Sequence, residues 1–206
     1  MPSSQSDWDE KHRLAAEAPF GEPASIVREL LPILPRGAAL DVACGTGRHT
    51  LLLAARRQHV TAVDWSGTGL DMLESRARAA RVPIDRIQTV ERIGKSLHFG
   101  IELVHGNLEE LELPENSFAL ILCVQFLQRS LFPQFVQALR PGGMLLFETY
   151  TRAQLEFTGG PRNPAHLLES GELRGAFPSL RVIFYRELRA GQGIASLVAQ
   201  KPEKKH

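Results

Sequence analysis

The chain has 206 residues, 43% of them hydrophobic, and its 24 basic residues nearly balance its 23 acidic ones. This length and composition suit one α/β domain that needs no disulfide or structural metal, and the weak net charge disfavours nucleic acid or an anionic membrane as a partner. No apolar run is long enough to span a bilayer, the start does not resemble a signal peptide, and there are only two cysteines. We therefore expect a cytoplasmic protein.

The first part of the chain contains an N-terminal segment, residues 1–20, followed by one helix. Trp8 lies among charged residues in this segment. It either covers a substrate pocket or packs the segment against the domain. Between residues 23 and 31 the apolar residues recur on one helical face, which predicts a helix that ends at the prolines following it.

Residues 38–53 predict a buried strand, a tight turn and a helix in direct succession. Asp41 stands in the short apolar run of the strand, and Gly45 and Gly47 form the turn. Glycine permits positive φ and leaves room for a ligand beside the backbone. A dinucleotide site would have a third glycine where Thr50 stands, and Asp41 favours a cationic ligand over a pyrophosphate.

A second predicted strand, residues 59–64, ends at Asp64, which follows Asp41 by 23 residues. At about this spacing, a carboxylate meets ribose hydroxyls in nucleotide-binding βαβ units. The unit resembles the class I methyltransferases that use S-adenosylmethionine. Residues 41–47 match their first motif, with Ala43 in place of its usual first glycine, and Asp64 ends their second.

The remaining segments continue the alternation of helices and strands. Arg76, Arg78 and Arg81 lie on the predicted solvated face of the helix after Asp64. Residues 82–100 are longer than a connection needs and are interpreted as an insertion with one or two extra helical turns. Further strands are predicted at 101–105, 118–123 and 144–149, a helix at 131–140 that is stopped by Pro141, Gly142 and Gly143, and a final hairpin at 180–185 and 194–199.

Residues 139–148 again resemble the methyltransferase pattern, so three matched segments in the right order cover about residues 40–150. The resemblance implies a doubly wound α/β fold in a single domain, 1–206, with a seven-stranded, mostly parallel sheet and an antiparallel last strand. The N-terminal segment, residues 125–129 and the loop after the fifth strand are similar to bacterial methyltransferases of the tellurite-resistance type and their uncharacterised relatives.

The resemblance also implies which residues surround S-adenosylmethionine. Asp64 is expected to accept hydrogen bonds from the ribose, and Asn107 to accept one from the adenine amine through its carbonyl oxygen. The full set of predicted cofactor-binding residues is Asp41, Ala43, Cys44, Gly45, Gly47, Asp64, Trp65, Asn107, Leu108 and Cys123.

Residues 150–175 are too long and too polar to be a mere connection, and are interpreted as a substrate-side loop. Arg129 and Arg162 are candidates to grip an anionic substrate, because a guanidinium can hold an oxyanion with two hydrogen bonds. Alternatively, each braces the loop by bonding backbone carbonyls or Glu156 and Glu169. Tyr150 and His166 are further substrate-binding candidates, each with a structural alternative.

Methyl transfer from a sulfonium is an in-line displacement. It depends on the positioning of donor and acceptor and on the exclusion of water more than on acid–base groups. The histidines and cysteines show no metal-ligand spacing, so no metal is expected. Cys44 and Cys123 end neighbouring strands, where they form either a thiol pair or two separate buried thiols. The predicted function is methyl transfer to a small molecule or oxyanion, without nucleic acid or membrane. The alternatives are an RNA or protein methyltransferase and a non-catalytic cofactor-binding protein.

Overall fold

The computed structural model describes residues 4–15, 20–87 and 99–203, which surround one central sheet of eight strands. The strands are β1 (Ala39–Val42), β2 (His59–Asp64), β3 (Ile84–Arg86), β4 (Gly100–His105), β5 (Phe118–Val124), β6 (Leu139–Tyr150), β7 (Arg181–Arg189) and β8 (Gly193–Gln200). The helices are α1 (Gln5–Ala15), α2 (Ser25–Leu30), α3 (Arg48–Ala55), α4 (Gly67–Ala79), α5 (Phe132–Ala138) and α6 (Glu172–Gly175).

The strand order is β3-β4-β2-β1-β5-β6-β8-β7, and the pairs from β3 to β6 are parallel. β8 runs antiparallel to both of its neighbours. The predicted doubly wound α/β fold with an antiparallel last strand is therefore confirmed. β2, β3 and β4 lie on one side of β1, and β5 and β6 lie on the other. Such a reversal of strand order is a switch point, where the carboxyl ends of the strands leave a crevice for ligands.

The predicted strand number is wrong by one, because β3 adds an eighth strand within the predicted insertion. Its three residues pair in parallel with β4, and the backbone N–H of Ile101 donates to the carbonyl of Pro83 at 2.8 Å. On the solvent side, Arg86 donates to Asp71 and Glu74 of α4. Pairing with β4 therefore makes residues 84–86 extended where extra helical turns were predicted. The rest of that prediction, residues 88–98, lies outside the described residues.

The predicted stop before the fifth parallel strand is also misplaced. The helix ends at Ala138, and β6 continues through Pro141, Gly142 and Gly143. A Cβ on Gly143 would stand 2.9 Å from the carbonyl oxygen of Phe118. The glycine therefore allows β6 to pass close to β5, and sheet pairing outweighs the local stop signal.

The helices lie on both faces of the sheet. Helices α2, α3 and α4 bury their apolar residues on one face, and α5 and α6 bury theirs on the other. Among the residues described, no helix is long and apolar enough to cross a membrane. The turns after β1, β2, β4 and β5 lie at the carboxyl edge of the parallel strands. The predicted site residues lie in these turns, near the carboxyl ends of the strands or in the loop after β6.

Candidate functional site

The turn after β1 has a left-handed backbone at every second residue, with φ of 53° at Ala43, 55° at Gly45 and 88° at Gly47. A Cβ on Gly47 would stand 2.1 Å from Cδ1 of Leu73, and one on Gly45 would stand 3.2 Å from Cε1 of His12. The glycines are thus needed for the backbone and for close packing by α4 and α1. This packing is a reason for the glycines beyond the expected one, and room for a ligand beside the turn stays a prediction.

Asp41 lies beneath this turn and is only 1% exposed. Its Oδ2 accepts a hydrogen bond of 2.6 Å from Oγ1 of Thr50. Burial disfavours the charged form and raises the pKa of Asp41 to about 7. Asp41 therefore positions the start of α3 through this hydrogen bond. The same bond gives the hydroxyl of Thr50 a role at the position where a dinucleotide site would have glycine.

Asp64 joins the turns after β1 and β2. One carboxylate oxygen accepts from the backbone N–H of Gly45 at 2.7 Å and the other from that of Ser66 at 2.8 Å. Since a carboxylate accepts about four hydrogen bonds, both oxygens keep capacity for further donors. The side chain is 7% exposed at the carboxyl edge of the sheet. Two carboxylate oxygens with remaining acceptor capacity fit a ligand with two neighbouring hydroxyls that donate, as a ribose has.

The turn after β4 lies beside Asp64, because Asp64 and His105 are register partners. Leu108 is buried there, and Asn107 is half-buried. The carbonyl oxygen of the Asn107 side chain accepts from the backbone N–H of Glu109 at 3.1 Å. Trp65 is half-buried, and its carbonyl accepts from Nε2 of His105 at 3.0 Å. The predicted adenine side is thus assembled next to the predicted ribose side.

The two cysteines do not form a thiol pair. Cys44 packs in the apolar cluster on the α2–α4 face, and Cys123 packs in the cluster on the α5–α6 face. Burial raises the pKa of both thiols well above the ordinary value, so they stay protonated at neutral pH. They are two separate buried thiols, the second of the alternatives.

His49 is buried and neutral. Its Nε2 accepts from the backbone N–H of Ala24 at 3.1 Å, and burial, followed by the charge of Arg48, lowers its pKa to about 3. His49 therefore anchors the start of α2 and offers no base to a substrate. No three His, Cys, Asp or Glu side chains in the described part of the chain are grouped as metal ligands would be.

Arg48 and Gln125 span the switch point, and the sequence did not reveal this pair. Arg48 follows the glycine turn, and Gln125 follows β5 with a left-handed φ of 59°. Nη2 of Arg48 donates to Oε1 of Gln125 at 2.7 Å, and Nη1 donates to the carbonyl of Glu22 at 3.4 Å. The backbone N–H of Gln125 donates to the carbonyl of Glu148 at 2.7 Å.

Glu148 is a second residue that sequence reasoning missed, although a charged residue in a buried strand was a signal. It is 6% exposed near the end of β6, and its Oε2 accepts from Oγ of Ser196 at 2.6 Å. Nη2 of Arg186 lies 3.9 Å from the same oxygen. Burial raises the pKa of Glu148.

Arg76 does not lie on a solvated face as predicted. Its Nη1 donates to the carbonyl of Thr46 at 2.9 Å, and its guanidinium lies 4.3 Å from the ring centre of Phe20. Arg78 and Arg81 are exposed as expected. Arg76 is therefore a brace from α4 to the glycine turn.

Helix α1 is fastened beside the same turn. Oδ1 of Asp9 accepts from Oγ of Ser66 at 2.6 Å and from the backbone N–H of Thr68 at 3.0 Å. The ring contacts of Trp8 in the described residues are with Lys11 and His12 of its own helix. The attachment of this segment to the domain includes Asp9, His12 over Gly45, and Gln5, whose Nε2 lies 3.2 Å from Nε2 of His105.

On the substrate side, Arg129 braces the loop. It forms two hydrogen bonds with Glu172, at 2.6 and 2.9 Å, and donates to the carbonyls of Ala165 and Leu167 at 3.1 and 2.9 Å. Arg162 donates to the carbonyl of Leu155 at 2.8 Å. The bracing alternative therefore describes both arginines in this structure through their bonds to carbonyls, while the glutamate that Arg129 bonds is Glu172 and neither of the two expected.

Tyr150 and His166 are both half-buried. The carbonyl of Tyr150 accepts from the backbone N–H of Leu168 at 2.9 Å, which joins the end of β6 to the loop. Arg129 bonds the carbonyls on either side of His166. The structure thus brings Tyr150, His166 and Arg129 together around one loop, while Arg162 contacts a carbonyl farther along the same loop.

A family model described as a methyltransferase domain matches residues 40–147, just over half of the chain. The chain is 32% identical over 116 residues to a demethylmenaquinone methyltransferase from Listeria welshimeri, which covers 52% of this chain and 42% of that protein. The chain therefore spans about four-tenths of the length of such curated relatives.

Solved structures show the same fold at lower identity. TehB from Haemophilus influenzae has a TM-score of 0.69 at 16% identity, over 91% of this chain and 65% of its own. An S-adenosylmethionine-dependent methyltransferase from Methanosarcina mazei has a TM-score of 0.62 at 20% identity, over 89% of this chain and 100% of its own. The chain belongs to the methyltransferase domain family and has the class I fold whose cofactor is S-adenosylmethionine.

Proposed function

We propose that the protein transfers the methyl group of S-adenosylmethionine to a small molecule. The observation that carries this proposal is the carboxylate of Asp64, which joins the turns after β1 and β2 and keeps hydrogen-bonding capacity at the switch point. A carboxylate there suits ribose hydroxyls, and the hydrogen bonds of an ionised acceptor are stronger than neutral ones.

When bound, the cofactor supplies a methyl group on a positively charged sulfur. The work of the chain is to orient that group and to keep water away from it. Asp64 and the left-handed turn give a fixed surface for the ligand. The turn is held by the bond of Asp64 to Gly45, that of Thr50 to Asp41 and that of Arg76 to the carbonyl of Thr46. No base is part of the proposal, since His49 is buried and committed to Ala24.

A small acceptor is favoured over RNA or protein. The near-balance of basic and acidic residues offers no broad charged surface, and the substrate-side loop is fastened over the edge of the sheet by Arg129. The matched relatives are named for demethylmenaquinone, itself a small molecule. An anionic acceptor or oxyanion and a cytoplasmic location stay predictions, and the anion prediction now has less support from Arg129, whose donors bond Glu172 and two carbonyls.

The test is release of S-adenosylhomocysteine with a panel of small thiols, amines, phenols, quinols, carboxylates and oxyanions. We expect turnover with at least one class. Asp64→Ala should weaken cofactor affinity about ten- to a hundredfold, because hydrogen bonds to a charged group contribute roughly 1.5–3 kcal/mol. Cofactor binding without turnover on any acceptor would support a non-catalytic binding protein, and methylation of RNA or protein alone would overturn the small-molecule acceptor.

A further inference from the structure

A row of three polar side chains crosses the sheet at the carboxyl end of β6. Glu148 is the register partner of Ser196 in β8, and Ser196 is the partner of Arg186 in β7. On its other side, Glu148 pairs with Val124, the last residue of β5. The carboxylate of Glu148 therefore lies at the edge of the sheet where ligands bind in open α/β folds.

The side chain of Glu148 points to the face of the sheet that α2, α3 and α4 cover. Phe147, its neighbour in β6, packs in the apolar cluster on the α5–α6 face, and side chains alternate along a strand. On the α2 side, Nη1 of Arg186 lies 3.6 Å from Oε2 of Glu29 in α2. Arg186 thus connects Glu148 to α2, with the exposed Glu29 at the outer end of this network.

The two oxygens of the Glu148 carboxylate have different surroundings. Oε2 accepts the hydrogen bond of 2.6 Å from Ser196, and Nη2 of Arg186 lies 3.9 Å from it. Oε1 accepts no hydrogen bond from the described part of the chain, although the residue is only 6% exposed. A buried carboxylate oxygen without a donor is unfavourable, so Oε1 is suited to a donor that a ligand supplies.

The position of Glu148 relates it to the methyl acceptor. In the sheet order β4-β2-β1-β5-β6, the adenine is predicted at the turn after β4 and the ribose at the end of β2. An acceptor beside the other end of the cofactor therefore lies over the ends of β5 and β6. Gln125, which follows β5, is joined to Glu148 there, because its backbone N–H donates to the carbonyl of Glu148 at 2.7 Å.

Burial also favours Glu148 as a base. It raises the pKa of the carboxyl group, against the hydrogen bond from Ser196 and the charge of Arg186, which lower it. The other charges that act on this carboxyl group, those of Glu29 and Arg48, oppose each other. A carboxylate with a raised pKa takes a proton more readily, and its buried negative charge repels an anion.

We propose that Glu148 takes the proton of the methyl acceptor, so that the acceptor is a hydroxyl, a thiol or an amine rather than an anion. This assignment rests on the proposed function and adds a proton acceptor to it. The nucleophilic atom forms a bond to the methyl carbon while the bond from that carbon to sulfur breaks, and the electron pair of the broken bond remains on sulfur. The proton of the nucleophile passes to Oε1 of Glu148.

The first experiment measures release of S-adenosylhomocysteine with acceptors in matched pairs. Each phenol, quinol, thiol or amine is compared with the carboxylate of the same carbon skeleton, and selenite serves as the oxyanion. We expect the fastest acceptor to be one of those that carry a proton on the nucleophilic atom. A carboxylate or selenite as the fastest acceptor would overturn the proposal without any variant.

Glu148→Gln tests the residue itself, because its amide oxygen still accepts from Ser196 while the side chain no longer takes a proton. With the fastest acceptor, kcat should fall about a hundredfold or more, and the affinity for S-adenosylhomocysteine should stay within about twofold. The loss should shrink with a more acidic acceptor of the same class, because more of it is already ionised. In the wild type, kcat should rise with pH through the raised pKa of Glu148, and the variant should lack this rise.

Glu29→Gln serves as the matched control, because it makes the same chemical change at the exposed end of the same network. Its kcat should stay within about twofold of the wild-type value. A kcat of Glu148→Gln that is also within about twofold, or a loss that is equal for acceptors of every acidity, would overturn the role of Glu148. Failure of the wild type to turn over any acceptor would instead overturn the proposed function, and this assignment with it.

Discussion

The turn after β1, which we call the cofactor edge because it is predicted to bind the cofactor, and the predicted substrate-side loop both lie at the carboxyl ends of parallel strands, but different interactions hold them. Buried contacts hold the turn after β1: Leu73 fills the space beside Gly47, and Thr50 bonds Asp41 under the turn. More exposed ion pairs hold the loop of residues 150–175. The pair of Arg129 with Glu172 is an example, with the two side chains 43% and 24% exposed.

This difference indicates how each region responds to change. A buried, close-packed contact cannot be relaxed without moving backbone, so its loss is expensive and insensitive to salt. Ion pairs in contact with water are screened and individually weak. We therefore expect the cofactor edge to tolerate almost no substitution and the loop to tolerate several.

The largest expected effect is a difference in lost stability between alanine variants of two glycines that both have a left-handed backbone. Gly47→Ala should destabilise the fold by at least about 3 kcal/mol, because its Cβ would collide with Leu73 as well as strain the backbone. Gly159→Ala in the loop should cost only about 1 kcal/mol, since φ is 76° but nothing lies within 4 Å. Urea unfolding measures both, and equal losses would contradict the steric argument.

A smaller effect is expected in the pH dependence of the unfolding free energy, because the carboxyl group of Asp41 is buried. The pKa of Asp41 is raised to about 7 in the folded state, against about 3.9 in an unfolded chain. Its stabilising contribution is therefore fully present below pH 4 and is lost as the pH rises through 7. From pH 5 to pH 8, the unfolding free energy of Asp41→Asn should gain about 2–3 kcal/mol relative to wild type.

Asparagine is the suitable replacement because its carbonyl oxygen still accepts from the hydroxyl of Thr50, so the change removes the titration and keeps the contact. Chemical unfolding at several pH values in the absence of cofactor gives the comparison. Parallel stability curves for the two proteins would show that Asp41 does not titrate in this range.

The smallest expected effect concerns the brace of the loop. Arg129→Met and Glu172→Gln should each lower stability by about 1 kcal/mol at low salt, and their combination should cost little more than either one, because both break one ion pair. The losses should shrink at high salt. If Arg129 binds the acceptor instead, the KM for the acceptor will rise with Arg129→Met and not with Glu172→Gln.

The parts that the sequence determined are those encoded by neighbouring residues. The glycine turn, the carboxylate at the end of β2 and the alternation of apolar strands with helices all depend on short spacings, because backbone conformation and burial period are local properties. These spacings predicted the glycine turn after β1 and a strand that ends at Asp64, and the resemblance to class I methyltransferases added the doubly wound fold.

Only the tertiary structure decided which partner each polar side chain chose. Arg76 faces Thr46 rather than solvent, Arg129 bonds Glu172, and Arg48 reaches Gln125 across 77 positions of sequence. The extra strand β3 likewise exists because β4 offers it an edge to pair with. Long, flexible polar side chains have many possible partners at similar energy, so the packing of the whole domain decides among them.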